Sequence, residues 1–287
     1  MSGAILRSDL AAAVHGIHGH GRVAFREDGG MTRLADLYQH DPVRVLFPAT
    51  PLGEPVQAAI VTTSGGLVGG DVIEIEACVG DGARALIMPQ AAEKVYRSDA
   101  GCVRIDVHLK VGDGGWLEWL PQETIVFDAA RLRRLTTVEF TGGGRFLAGE
   151  ILAFGRRASG ETISRGLIRD AWEVRRDGRL IWADAIHMEG DIGGILDHPA
   201  AFDGAAAQAI TVYGGPDAED MLDTARALLA QPPPGVRAAA GLVNGLLVGR
   251  WLGEDGLRLR ESFASFWAAL RARAAGLARR LPRLWYI

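Results

Sequence analysis

The clearest periodic stretch is Val103 to Val111, where Val103, Ile105, Val107, Leu109 and Val111 alternate with Arg104, Asp106, His108 and Lys110. Successive side chains of an extended strand point to opposite faces, so this spacing predicts a strand with one face in a core. The same period recurs after Asp71. Ile73, Ile75, Ala77 and Val79 share one face, and Glu74, Glu76 and Cys78 share the other. Gly80-Asp81-Gly82 then turns the chain into Ala83 to Met88, which reads as the hairpin partner of that strand. Arg22 to Arg26, Val43 to Phe47, Val56 to Thr63, Trp116 to Leu120 and Leu135 to Thr141 are further strand candidates, bounded by proline or glycine clusters. Arg145 to Phe154 fits either a strand or a short helix. Leu167 to Val174 and Leu180 to His187 read as an antiparallel pair joined by Asp177-Gly178.

After Phe202 the period changes. Met221, Leu222, Ala225, Leu228 and Leu229 fall on one face of a helix that starts at Pro216-Asp217 and is stopped by Pro232-Pro233-Pro234-Gly235. Leu242 to Leu252 is a short apolar stretch of one or two strands, interrupted at Gly245 and Gly249. Phe263, Phe266, Trp267, Leu270, Ala274 and Leu277 form the apolar stripe of a second helix. The fold class that follows is mainly β: a large antiparallel β body of stacked sheets with two α-helices near the C-terminus. Residues 1–20 read as a flexible N-terminal segment. Residues 21–287 read as a single domain, with the β body to about 200 and the helix-containing part from about 201.

Between two strand candidates lies Ser64-Gly65-Gly66-Leu67-Val68-Gly69-Gly70-Asp71. Paired glycines mark backbone that takes positive φ or passes close to another segment. The stretch lacks both the Walker lysine–hydroxyl pair and the G-x-G-x-x-G spacing, and it leads into a strand rather than a helix N-terminus. It is therefore read as a sharp bend with one acid, Asp71, at its end.

Composition narrows the class. At 287 residues and 48% hydrophobic the chain can bury a core of its own. Its 38 glycines are about twice the usual share of roughly 7%, which suits many tight turns in a β-rich fold. A formal net charge of −4 argues against a general nucleic-acid binder. Cys78 and Cys102 are the only cysteines, too few for a disulfide framework and unlike a zinc site in spacing. No apolar run approaches the roughly 20 residues that span a bilayer, and no basic start leads into an apolar leader. The expectation is a soluble, cytoplasmic protein with neither nucleic acid nor membrane as partner.

Local chemistry is sparse. Ser64 and Ser98 lack the strand–turn–helix setting and the neighbouring base of a catalytic serine. His15, His18 and His20 could bind nickel or zinc through neutral imidazoles, or could be an idle tail. His187, His198 and the cysteines show no ligand spacing. Trp116 to Glu123 reads either as an amphipathic strand ending at Pro121 or as an aromatic contact surface. Arg271, Arg273, Arg279, Arg280 and Arg283 make the C-terminal region basic, as a solvated helix end or as a surface for an acidic partner. A carboxylate pair, Asp71 and Glu123, would support a small-molecule enzyme on a β scaffold, provided both acids line one pocket within about 10 Å.

Several motifs, in order along the chain, carry a family resemblance. They are Gly65-Gly66-Leu67-Val68-Gly69-Gly70-Asp71, Lys94-Val95-Tyr96-Arg97-Ser98, and Glu118-Trp119-Leu120-Pro121-Gln122-Glu123-Thr124 with Phe127-Asp128 and Ala130-Arg131. Phe154-Gly155-Arg156 with Gly160-Glu161, Gly245-Leu246-Leu247-Val248 with Arg250, and Pro282-Arg283-Leu284-Trp285 complete the set. The chain resembles the urease accessory protein UreD family, called UreH in some systems. Two positions depart from it: Glu93 stands where a small or hydroxyl residue is common, and Tyr286-Ile287 end the chain where a threonine is more usual.

The resemblance implies a mostly β fold with two helices and a non-enzymatic nickel-insertion chaperone for urease. It implies UreF as partner, UreG through UreF, apo-urease as the target and UreE as nickel donor. It implies no stably bound cofactor, only transient Ni²⁺ in a water-filled passage lined by acids. Carried over position by position, those acids are Asp71, Glu93, Glu150 and Asp184, each of which could equally be an ordinary salt bridge or turn. Scattered carboxylates and water release a divalent ion readily, whereas a closed thiolate or imidazole cage would trap it. Phe263 and Trp267, on the second helix, are the candidates for contact with UreF.

Overall fold

A computed structural model describes residues 16–156 and 160–286. β1 (His18–Asp28), β2 (Met31–His40), β3 (Val43–Leu46) and β4 (Val56–Thr62) open the chain. β5 (Val72–Val79), β6 (Arg84–Gln90), β7 (Glu93–Val95), β8 (Val103–Val111), β9 (Trp116–Trp119) and β10 (Glu123–Val126) follow. β11 (Arg131–Phe140), β12 (Arg145–Phe154), β13 (Arg165–Arg176) and β14 (Arg179–Asp191) lead to a short helix, α1 (Ile192–Asp197). β15 (Ala207–Gly214), α2 (Leu222–Leu229), β16 (Val236–Val243), β17 (Leu246–Gly253) and α3 (Gly256–Ala275) complete the order.

Two sheets stack face to face. The first runs β14-β13-β11-β8-β5-β1-β2, and the second runs β16-β17-β15-β12-β9-β6-β4-β3, with β10 beside β12 and β7 beside β10. The protein is mainly β with stacked sheets and α2 and α3 late in the chain, as expected. Its middle, however, is parallel. From β4 to β13 the main strands alternate between the sheets, so β5, β8, β11 and β13 run parallel in the first. β4, β6, β9 and β12 run parallel in the second. Antiparallel pairing is confined to the flanks, as in β1/β2, β3/β4, β13/β14, β12/β15 and β15/β17.

The expected hairpin across Gly80-Asp81-Gly82 is therefore not formed. β5 lies in the first sheet and β6 in the second, so the short link is an arch between layers. The arch sets the apolar face of β5 (Ile73, Ile75, Ala77, Val79) against Ala85 and Ile87 of β6 in one core. A hairpin would have put those faces side by side rather than against each other.

α2 and α3 cover the outer face of the second sheet. Its middle strands are thus buried on both sides: Ala85 and Ile87 face the sandwich, while Leu86 and Met88 face the helices. Strands buried on both faces lose their polar alternation. This explains why Arg145 to Phe154, which is β12, could not be told from a helix by pattern. α3 starts at Asp255, whose carboxylate accepts from the Leu257 and Arg258 amides at 2.8 and 3.2 Å. It stops at Gly276, which sits at φ 65°.

The first sheet begins at His18, inside the segment read as a flexible tail. His18 and His20 lie on β1 and meet Glu74 and Glu76 at 2.8 and 2.9 Å. His15 lies outside the described residues. Among the described residues, no helix is long and apolar enough to cross a membrane.

Candidate functional site

The bend before β5 is a docking point for the next motif. Leu67 donates its amide to the Lys94 carbonyl at 2.8 Å, and Tyr96 donates its amide to the Leu67 carbonyl at 2.8 Å. Gly66 sits at φ 143°, and a Cβ there would stand 2.3 Å from the Tyr96 ring. A Cβ on Gly69 would overlap the Ser98 hydroxyl. The glycines let Gly65–Asp71 and Lys94–Ser98 lie against each other. Asp71 is 4% exposed and turns into the bend itself. Its carboxylate accepts from the Ile17 amide at 3.0 Å and the Val68 amide at 2.8 Å. Both oxygens hold backbone, so Asp71 closes the turn and ties it to the chain entering β1.

The chemistry of the sandwich centres on Arg134, which the sequence reading did not single out. It projects inward from β11 among Leu132, Thr136, Val138 and Phe140 and is 5% exposed. Its guanidinium binds Asp170 of β13 through two parallel contacts of 2.8 Å. It donates to the Thr124 hydroxyl at 2.9 Å and reaches Glu150 Oε2 of β12 at 2.8 Å. The other Glu150 oxygen accepts from the Trp119 indole at 3.3 Å and the Thr136 hydroxyl at 3.4 Å. One guanidinium thus serves two buried carboxylates from both sheets.

That sharing sets the protonation of Glu150. Burial pushes its carboxyl up to about 7; the Arg134 charge opposes this rise and the Asp170 charge adds to it. Burial alone would lower the Arg134 pKa, but Asp170 and Glu150 more than offset it, so the guanidinium stays charged. Beside this network lies a cavity of about 50 Å³, lined by Glu150, Arg134, Thr124, Gln122 and Glu93, with Ile75 and Val107 on its apolar wall. A water needs roughly 10–15 Å³ by this measure, so the space has room for a few water molecules. Glu93, on β7, also lines it. Burial raises its pKa, opposed by a hydrogen bond from Thr62 and by the Lys94 amide at 3.1 Å.

Two of the four acids carried over from the resemblance, Glu93 and Glu150, therefore share one cavity. Asp184 does not join them. It lies at the open flank of the sandwich, where it pairs with Arg250 of β17 at 2.8 Å and ties β14 of the first sheet to the second. Glu123 turns the opposite way from its neighbour Thr124 and meets Arg260 of α3 at 3.4 Å. Asp71 at the head of β5 and Glu123 on the helix side thus belong to different layers, each held by partners of its own. Among the described residues, no three of His, Cys, Asp or Glu gather as a cation cage.

The candidates for partner contact are inside. Phe263 and Trp267 are 0% exposed, packed between α3 and the second sheet with Trp251 and Trp285. Their stripe attaches the helix to its own sheet, so a partner cannot reach it with α3 in place. Beneath α3 lies a second charged cluster. Arg271, 1% exposed, meets Glu118 of β9 at 2.9 Å and Glu54 at 2.6 Å, and the Trp116 and Trp267 indoles donate to Glu118. The Trp116–Glu123 stretch is thus structural. Trp119 serves the sandwich, Glu118 anchors α3, and Gln122 and Pro121 hold the Leu284–Trp285 segment.

The signal for Arg134 was present but faint: a cation in the inward phase of an alternating strand, on β11. Asp170 repeats it on β13, in the phase of Ile168 and Trp172.

Fold and site together define a two-sheet β scaffold with an internal polar cavity and a helical layer on one face. Residues 18–286 match the family described as UreD urease accessory protein. Among similar proteins, the urease accessory protein UreD of Magnetococcus marinus is 48% identical over 275 residues, covering 95% of each chain. That of Xanthobacter autotrophicus is 43% identical over 267 residues, covering 93% of this chain and 89% of its own. That of Azorhizobium caulinodans is 40% identical over 267 residues, covering 93% and 95%. The chain belongs to the UreD family of urease accessory proteins.

Proposed function

We propose that this chain acts in urease maturation as a nickel-insertion accessory protein with no catalysis of its own. It works in the cytoplasm in a complex with UreF, and through UreF with UreG, on apo-urease, while UreE supplies nickel. Ni²⁺ is its cargo rather than a resident cofactor. The observation that carries this reading is the cavity between the sheets, where Glu150 and Glu93 border space for water. Scattered oxygen ligands of this kind release a divalent cation readily. The separation of Asp71 from Glu123 into different layers removes the motive for a carboxylate-pair enzyme.

The test is nickel counting in urease purified from cells that lack this chain. The reading expects nickel-poor, inactive urease, restored by the wild-type chain. Fully loaded urease in such cells at ordinary nickel levels would sink it. A Glu150→Gln variant that still binds UreF is expected to restore loading poorly, and wild-type loading would remove the cavity from the route.

A further inference from the structure

The outer face of the first sheet carries a row of basic side chains whose middle pair, Arg133 and Arg169, has no counter-charge among the described residues. Arg133 of β11 is the direct register partner of Arg104 on β8 and of Arg169 on β13, and His187 of β14 stands opposite Arg169. Neighbouring strands lie about 4.8 Å apart, so these side chains stand shoulder to shoulder. Like charges directly opposite one another destabilise a sheet. The nearby carboxylates serve the ends of the row, where Arg104 also meets Glu74 at 3.3 Å and His187 meets Glu189 at 3.9 Å, and leave the middle pair unrelieved. Asp106 pairs with Arg104 at 2.8 Å, Glu173 with Arg175 at 3.0 Å, and Asp184 with Arg250 at 2.8 Å. Among the described residues, no carboxylate pairs with Arg133 or Arg169, and both are exposed. They border an open cavity of about 550 Å³ floored by Leu135, Ala171 and Ala185.

We propose that this face binds an acidic α-helical segment of a partner protein, with its carboxylates on Arg133 and Arg169 and its apolar flank on Leu135 and Ala171. The spacing fits a helix. Arg133 and Arg169 stand one strand interval, roughly 4.8 Å, apart. Residues i and i+3 or i+4 on one helix face lie about 5–6 Å apart, whereas same-face residues of an extended strand lie about 6.6 Å apart. A nucleic acid is the weaker fit, since the chain carries a net charge of −4. The proposal is independent of the reading of the interior cavity.

The experiment measures fluorescence polarisation of a labelled alanine-rich helical peptide with glutamates at i, i+3 and i+7 and leucines beside them, titrated with the full chain. The same peptide with glutamines is the control. The glutamate peptide is expected to bind and to weaken with added salt. Its affinity is expected to fall at least about tenfold in the Arg133→Glu/Arg169→Glu variant, the scale of charge pairs turned repulsive. The Arg133→Lys/Arg169→Lys variant should stay within a few-fold of wild type, which separates lost charge from a fold defect. No binding of the glutamate peptide, equal binding of both peptides, or unchanged affinity after charge reversal would overturn the proposal. So would a single-stranded oligonucleotide that binds the same arginines more tightly than the peptide.

Discussion

Arg134 of β11 and Glu150 of β12 meet across the two sheets at 2.8 Å, both nearly excluded from solvent. Because Asp170 already holds two guanidinium contacts, Glu150 has only a share of the compensating charge, and burial keeps its carboxyl near pH 7.

Stability should depend on pH through Glu150. The folded chain holds this proton more tightly than the unfolded chain, which releases it near the ordinary value of 4.5. The contribution is complete below pH 4.5 and is lost as pH rises toward 7. At ~1.4 kcal/mol per pH unit, the span from 4.5 to about 7 corresponds to a loss of roughly 3.5 kcal/mol. Urea unfolding between pH 5 and 8 should show this fall, and Glu150→Gln should flatten it. A slope unchanged by the substitution would place the titrating group elsewhere.

Removing Arg134 should be costly. Arg134→Met leaves Asp170 and Glu150 buried without a cation, and breaking one partner out of a buried ion pair costs roughly 3–5 kcal/mol. Equilibrium denaturation reads this directly. A loss below about 1 kcal/mol would mean that water already solvates both acids.

Two arginines of α3 should behave oppositely. Arg271 is buried on Glu118 and Glu54, whereas Arg273 is exposed. Arg271→Ala should cost about 3 kcal/mol or more and loosen α3, which hydrogen exchange of that helix would report. Arg273→Ala should stay within about 0.5 kcal/mol of wild type. Equal effects would contradict the cluster beneath the helix.

Asp71 should matter to the turn first. Asp71→Ala orphans the Ile17 and Val68 amides and should cost about 1–3 kcal/mol, with Asp71→Asn costing less because one acceptor remains. Thermal unfolding of the three chains ranks them. An Asp71→Ala chain of unchanged stability that loads nickel poorly would assign the carboxylate to the cargo instead.

The period-two strands, the Asp177-Gly178 turn, the apolar stripe of α3 and the glycine bend holding Asp71 were all determined by the sequence alone. These are local features, written in alternation, helical spacing and positive φ. Only the tertiary structure decided that β5 and β6 arch between sheets instead of pairing, because a short glycine link serves either purpose and the choice rests on which faces meet. It also decided that the second sheet is covered on both sides, which erased the alternation of β12 and hid its strand character. Side-chain identity could not separate Arg134 and Arg271 from the solvated arginines near them in the chain. Nor could it show that Glu150 and Glu93 converge while Asp184 latches a distant edge. Charge placement of this kind is fixed by contacts between residues remote in sequence, and those contacts exist only once the two sheets and α3 have packed.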